Sequence, residues 1–423
     1  MTTIQNQHAI EKPHAVRGPR NRRRRVALRA AGLTASVAVV GLSLAACGSG
    51  STKETAPNGT KSSAAGAAAT SSPQQRTTVS FNEYQGTAYT WLLVLAKGEG
   101  FFSRNGINAN LVATSGAPPA FAALEGGSLQ FASGDMINGG TLLDRGTPLE
   151  IVAGLMKANQ SLLIASSSAH LPTTWPASLQ GLAGKAVGVV SPGSAFYYYA
   201  NMILSAGGLS PSRVNYASTT AIPANIVAAL SSGRVAAAMV PLAGAYGLVN
   251  VDHDVVVFDQ DTVTASLFPG HVTTPADLPA SSPLRQVSNL VHQYLWASNA
   301  YIASHPSVVH EVQLALMETD VWLHNPANLA SAVNYLINNN QVTNFPGQTT
   351  AQVRSFLSAD LPLLVSYVPP TDVATYQKVW KGAGVLPKEL PLSQFLAPGV
   401  PTSPAAVVAQ VKAAGQGSLG SQA

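Results

Sequence analysis

The chain has 423 residues, of which 46% are hydrophobic and 10% charged, with 24 Lys and Arg against 19 Asp and Glu for a net charge of +5. The excess sits in the leader: residues 1–46 hold eight of the basic residues and one acidic residue, so the remainder has 16 against 18, a net of −2. That balance removes the clustered basic surface a nucleic-acid partner would need. Cys47 is the only cysteine, which excludes an internal disulfide and paired-thiol chemistry.

Arg17, Arg20, Arg22, Arg23, Arg24, Arg25 and Arg29 form a cationic stretch, followed by apolar or small residues from Ala30 to Ala46 and the run Leu44-Ala45-Ala46-Cys47. Cations stay on the cytoplasmic side while the apolar segment enters the bilayer. The segment is shorter than the roughly 20 residues of a spanning helix. This is the layout of a lipoprotein signal peptide over residues 1–46, with Cys47 as the lipidated (palmitate-bearing) residue. The expected location is the extracytoplasmic face of the cell membrane. Arg24-Arg25-Val26-Ala27-Leu28 leaves twin-arginine export open beside the general secretory route. Residues 47–76, rich in Ser, Thr, Gly and Ala, read as a flexible tether.

The roughly 320 residues that follow exceed what one core usually serves, so two lobes are expected. Val79–Tyr84 reads as a strand and Thr90–Asn105 as a helix stopped by Gly106. Ile107–Ala113 is strand-like, Pro118-Pro119 opens a short helix, and Leu129–Ala132, Ile151–Leu155 and Ser161–Ser166 complete a first, strand-rich region. A second set follows: strand Ala186–Val190, helix Ser194–Ala206 closed by Gly207-Gly208, strand Val214–Ala217, a helix through Ile226–Leu230, and strands Ala236–Val240 and Val255–Asp259. Past residue 300 the pattern is mainly helical, clearest over Ser307–His324 and Thr371–Gly382. Alternation of this kind predicts two α/β lobes with largely parallel sheets. Residues 399–423 read as a low-complexity tail, and Gly415–Gly420, a G-x-G-x-x-G without a strand before it, as noise.

Several segments resemble the substrate-binding proteins of nitrate, sulfonate and taurine type ABC importers, which share a fold with thiamine-pyrimidine synthases. They are Ala96-Lys97-Gly98-Glu99-Gly100-Phe101-Phe102 with Gly106-Ile107; Leu179–Val189 with Pro192-Gly193-Ser194; Ala228-Ala229-Leu230 with Gly233–Ala238 and Pro241; and His305-Pro306-Ser307-Val308-Val309. They fall in the family's order over residues 79–396. Ala236 and Gln130 stand where family members often carry an acidic residue. The resemblance implies a type 2 periplasmic-binding-protein fold: lobe I from 77–166 and 293–398, lobe II from 167–292, a two-segment hinge, and a ligand in the interlobe cleft. It further implies a monomeric solute receptor that hands a sulfonate, nitrate, related small organic anion or nitrogenous compound to a membrane permease, without cofactor. A receptor for a thiamine-pyrimidine precursor, an exported enzyme and a sensory binding module are the alternatives.

Ligands of open α/β sheets bind beyond the carboxyl ends of the strands, which singles out three loops. Tyr84-Gln85-Gly86-Thr87-Ala88-Tyr89 offers a close backbone approach, a hydroxyl and two aromatic rings. In Ser133-Gly134-Asp135-Met136, Asp135 either caps the following helix or accepts from a ligand. In Ser191-Pro192-Gly193-Ser194-Ala195-Phe196-Tyr197, free N–H groups at a helix start can hold an oxyanion. None of the three contains Lys or Arg. The candidate ligand-binding residues are therefore Tyr84, Gln85, Gly86, Thr87, Gly134, Asp135, Gly193, Ser194, Ala195 and Phe196, with Pro241 from the resemblance. Of Phe196-Tyr197-Tyr198-Tyr199 only one or two can face a cleft. No H-E-x-x-H, G-x-S-x-G or Walker motif occurs, so no catalytic residue and no metal ligand is assigned. Asp252-His253-Asp254 reads as a polar turn.

Overall fold

Strand alternation is visible from the first element onward. In β2 (Ile107–Ala113), Ile107 and Ala109 are buried while Asn108 and Asn110 face out, the period of two that a half-covered strand requires. It pairs in parallel with β1 (Thr77–Glu83), from Thr77 opposite Ile107 to Glu83 opposite Ala113. The connection between them is two helices, Trp91–Gly98 and Phe101–Arg104, where the sequence predicted one. Gly100, at φ 78°, turns the chain between them, a left-handed conformation that glycine adopts at little cost. These elements belong to a computed structural model that describes residues 76–415 apart from 221, 262–264, 269 and 343–348. All the described residues lie in one compact unit, Thr70–Ala423. The expected leader, Cys47, the expected tether to residue 75 and most of the Gly415–Gly420 motif lie outside the described residues.

The first lobe continues through the helix Ala117–Glu125 to β3 (Ala132–Asp135), the helix Met136–Asp144 and β4 (Leu149–Lys157). The second lobe holds β5 (Ser161–Ala165), β6 (Ala186–Val189), β7 (Asn215–Ser218), β8 (Ala237–Pro241) and β9 (Val255–Asp259) in the order β7-β6-β8-β5-β9. The chain then returns: β10 (Val291–Ser298) lies between β3 and β4, antiparallel to both. A bridge between Phe81 and Phe131 joins β1 to the residues leading into β3.

Five further features differ from the sequence reading. Ser161–Ala165, expected in the first lobe, pairs with β8 and β9 in the second sheet, so the crossing comes at residues 158–160. That sheet is mixed, because β5 runs antiparallel to both its neighbours while β6 is parallel to β7 and β8. The strand expected at Leu129–Ala132 is formed by Ala132–Asp135 instead, and residues 291–298, split between a return connection and the first lobe, form the strand β10. Finally, the expected tail carries a helix, Pro404–Ala413, whose Val407 and Val411 are buried against Leu314 and Met317 of the helix Pro306–Leu323.

The two crossings between lobes are tied to each other. Ala158 N–H donates to Leu290 O at 2.9 Å, Asn159 Nδ2 to Gln260 Oε1 at 3.0 Å, and Gln260 Nε2 to Ser161 O at 3.2 Å. Gln160 Nε2 donates to Asp360 Oδ1, on the helix Thr350–Asp360. Asn159, Gln160, Ser161, Gln260 and Asp360 are all buried, so the hinge holds a polar cluster bonded among its own members, with Gln160 Oε1 and Asp360 Oδ2 left without a partner.

Candidate functional site in the interlobe cleft

The cleft is built by strand ends and helix starts. At the end of β1 the chain turns through Gly86 (φ 73°). Thr87 Oγ1 donates to Tyr84 O at 2.9 Å, and Tyr84 N donates to Thr90 Oγ1 at 3.1 Å. Tyr84 Oη donates across to Ser133 O at 2.6 Å, which links this loop to β3. Both ring hydroxyls of the loop, Tyr84 and Tyr89, are held far above the usual phenol range, chiefly by burial and then by the charge of Asp135. Tyr89 Oη is buried without a hydrogen bond of normal geometry.

Asp135 ends β3 and caps the next helix: its Oδ1 accepts from Asn138 N at 2.9 Å and from Asn138 Nδ2 at 2.6 Å. Burial raises its carboxyl to about 6, against the hydrogen bonds from Asn138 and Ile137, which pull it down. On the opposite lobe Ser194 caps Ala195–Ala206, accepting from Tyr197 N at 3.3 Å and donating to Ser191 O at 2.6 Å. The Ala195 and Phe196 N–H groups, as at any helix start, have no intrahelical acceptor. The helix Ala117–Glu125 presents fewer donors, since Pro118 and Pro119 follow Ala117 and proline has no N–H.

β10 closes the floor. His292 is 3% exposed and lies among the rings of Tyr89, Tyr199 and Tyr376, at 6.2, 5.7 and 6.3 Å between centroids. Its Nδ1 stands 3.4 Å from both Tyr199 Oη and Tyr376 Oη. Burial lowers the ring to about 3, so it is neutral at physiological pH. Gln293 Nε2 donates to Ser133 Oγ at 2.6 Å.

These groups surround a cavity of about 60 Å³, a handful of waters at roughly 10–15 Å³ each. Eight of the expected residues line it: Tyr84, Thr87, Gly134, Asp135, Ser194, Ala195, Phe196 and Pro241. Three do not. Gln85 points outward and lines an outer groove with Tyr84, Thr114 and Ile222; Gly86 and Gly193 (φ 80°) serve as turns. The sequence reading missed Gly116, Ala117, Pro118, Asn138, Val190, His292 and Gln293, and placed Tyr89 in its loop without assigning it to the site. The only signal for the pair on β10 was two polar residues inside an otherwise apolar run. Asp252-His253-Asp254 is a turn, with His253 at φ 57° and Asp254 Oδ1 accepting from Ser167 N at 2.8 Å.

Two α/β lobes joined by two crossings, with a cavity between them, define a protein of the type 2 periplasmic-binding-protein fold. The model of the NMT1-like family matches residues 71–244. Among solved structures, the chain is similar to the alkanesulfonate-binding protein SsuA of Xanthomonas axonopodis pv. citri, bound to MOPS (18% identity, 75% of this chain and 96% of that one, TM-score 0.56). It is also similar to the periplasmic aliphatic sulphonate binding protein SsuA of Escherichia coli (16%, 77% and 94%, TM-score 0.54). A third is the periplasmic nitrate-binding protein NrtA of Synechocystis PCC 6803 (14%, 78% and 92%, TM-score 0.53). No curated protein matches the sequence. Among the described residues no helix is long and apolar enough to cross a membrane.

Proposed function

We propose that the protein is the solute-binding component of an ABC import system. It captures a small organic anion or nitrogenous compound by closure of its lobes and delivers it unchanged to a membrane permease. The observation that carries this reading is the cavity itself, lined by Tyr84, Thr87 and Asp135 from one lobe and by Ser194, Ala195, Phe196 and Pro241 from the other. A ligand touching both walls favours the closed form by its differential affinity. The fold shared with sulfonate- and nitrate-binding proteins supports the same role. A lipid on Cys47 holds the domain, as a monomer, at the extracytoplasmic face of the membrane, and the tether to residue 76 gives it reach.

The test is a thermal-shift and calorimetric screen of small solutes against the mature domain, since a ligand bound only by the folded state raises apparent stability by mass action. Saturable binding with recovery of the unaltered ligand is the expected result. Turnover of a bound solute would replace the receptor with an enzyme.

A further inference from the structure

We infer that Asp135 makes the cleft selective for a ligand with a cationic, N–H-donating head group, and selects against anions. The inference deepens the receptor reading and rests on it, choosing within it the nitrogenous ligand over the organic anion.

Asp135 is 5% exposed and lines the cavity. No Lys or Arg is among the lining residues, and no cation contributes to holding its charge; only the amides of Asn138 and Ile137 do so. Both hydrogen bonds from Asn138 fall on Oδ1 and the Ile137 N–H supplies one more, so of the carboxylate's roughly four acceptor sites at least one is left for a ligand. A buried carboxylate without a counter-ion is costly. A ligand that brings positive charge and N–H donors removes that cost, whereas an anion adds repulsion to it. The nearest titratable side chain on the floor, His292, is neutral and supplies no compensating charge. Tyr89 Oη, buried and without a hydrogen bond of normal geometry, is a further polar partner for such a head group. The two positive helix ends nearest Asp135 are already weakened: the start at Met136 is capped by Asp135 itself, and that at Ala117 has lost its next two N–H groups to proline. The Ala195 and Phe196 N–H groups of the other lobe remain for an acceptor elsewhere on the ligand.

The discriminating experiment uses three probes of one shape and different charge: acetamidinium, acetamide and acetate, titrated at millimolar concentration and followed by ligand-observed NMR. The expected order of affinity is acetamidinium, then acetamide, then acetate. Asp135→Asn, which retains a good helix-capping side chain, should weaken acetamidinium about tenfold or more and leave acetamide nearly unchanged, with the thermal midpoint confirming that the variant folds. Acetate binding as tightly as acetamidinium, or a preference that survives Asp135→Asn, overturns the inference while the receptor stands. Failure of all three probes to bind overturns the inference, while the receptor reading stands or falls by the solute screen.

Discussion

Trp296 donates its indole N–H to the carbonyl oxygen of Gly134 at 2.9 Å, so the strand that returns from the second lobe fixes the end of β3 one residue before Asp135. The same ring fills the space beside the helix that Asp135 caps: a Cβ on Gly139 would stand 2.3 Å from it. Position and capping of the cleft carboxylate are thus set from behind by one buried side chain.

A Gly139→Ala substitution forces Trp296 or the helix to move. Overpacking of this kind costs about 1–3 kcal/mol, and a lower urea midpoint with an unchanged slope is the expected result. A midpoint equal to that of the parent would show that the indole has room to retreat.

Ser194→Ala removes the side-chain acceptor for Tyr197 N and should destabilise the protein by about 1 kcal/mol, whereas Ser194→Gly should cost only a few tenths. Because the same helix start faces the cavity, ligand affinity should fall in both variants by more than the stability difference between them explains. Parallel thermal and calorimetric titrations read the two effects separately.

The ion pair between His324 Nδ1 and Asp320 Oδ1, at 2.9 Å, predicts an alkaline loss of stability. The Asp320 hydrogen bond is the main cause that lifts His324 from 6.5 to about 9. A group whose folded value is raised contributes fully below its unfolded value and loses that contribution as pH rises through the folded one. The window is therefore pH 6.5 to about 9. His324 is partly exposed, so solvent screening limits the size of the effect. The thermal midpoint should decline across this window in the parent, and His324→Gln should flatten the decline; an equal slope in both would assign it to other groups.

Cys47→Ser should abolish incorporation of labelled palmitate and release the domain from the membrane fraction. Retention of the variant in that fraction after carbonate washing would point to an uncleaved apolar segment as the anchor.

The sequence located most strands, among them β5 and β8, which are buried at every position. β2 and β9 have the expected bounds, and the cap at Ser194 with its helix was legible from residue type and order alone. β10 was not: Val291–Trp296 is buried at every position, including the polar His292 and Gln293, and a strand covered on both faces loses its period of two. Gly134 read as part of the loop Ser133–Met136, since glycine weakens a strand pattern; it belongs to β3, where a Cβ would stand 2.3 Å from the ring of Phe121. The assignment of β5 failed for a topological reason: only three residues separate it from β4, and sequence order does not say which sheet a strand joins. The site was legible as strand-to-helix loops, while its floor came from a strand far away in the chain.

The outer groove pairs Gln85 of one lobe with Ile222 of the other, 45% exposed. A mature domain with no cysteine beyond Cys47 can therefore take Gln85→Cys and Ile222→Cys as the only two reactive thiols along its folded part. A fluorophore pair placed there would report opening and closing as a change in energy transfer, turning the lips of the cleft into a gauge that requires no knowledge of the ligand.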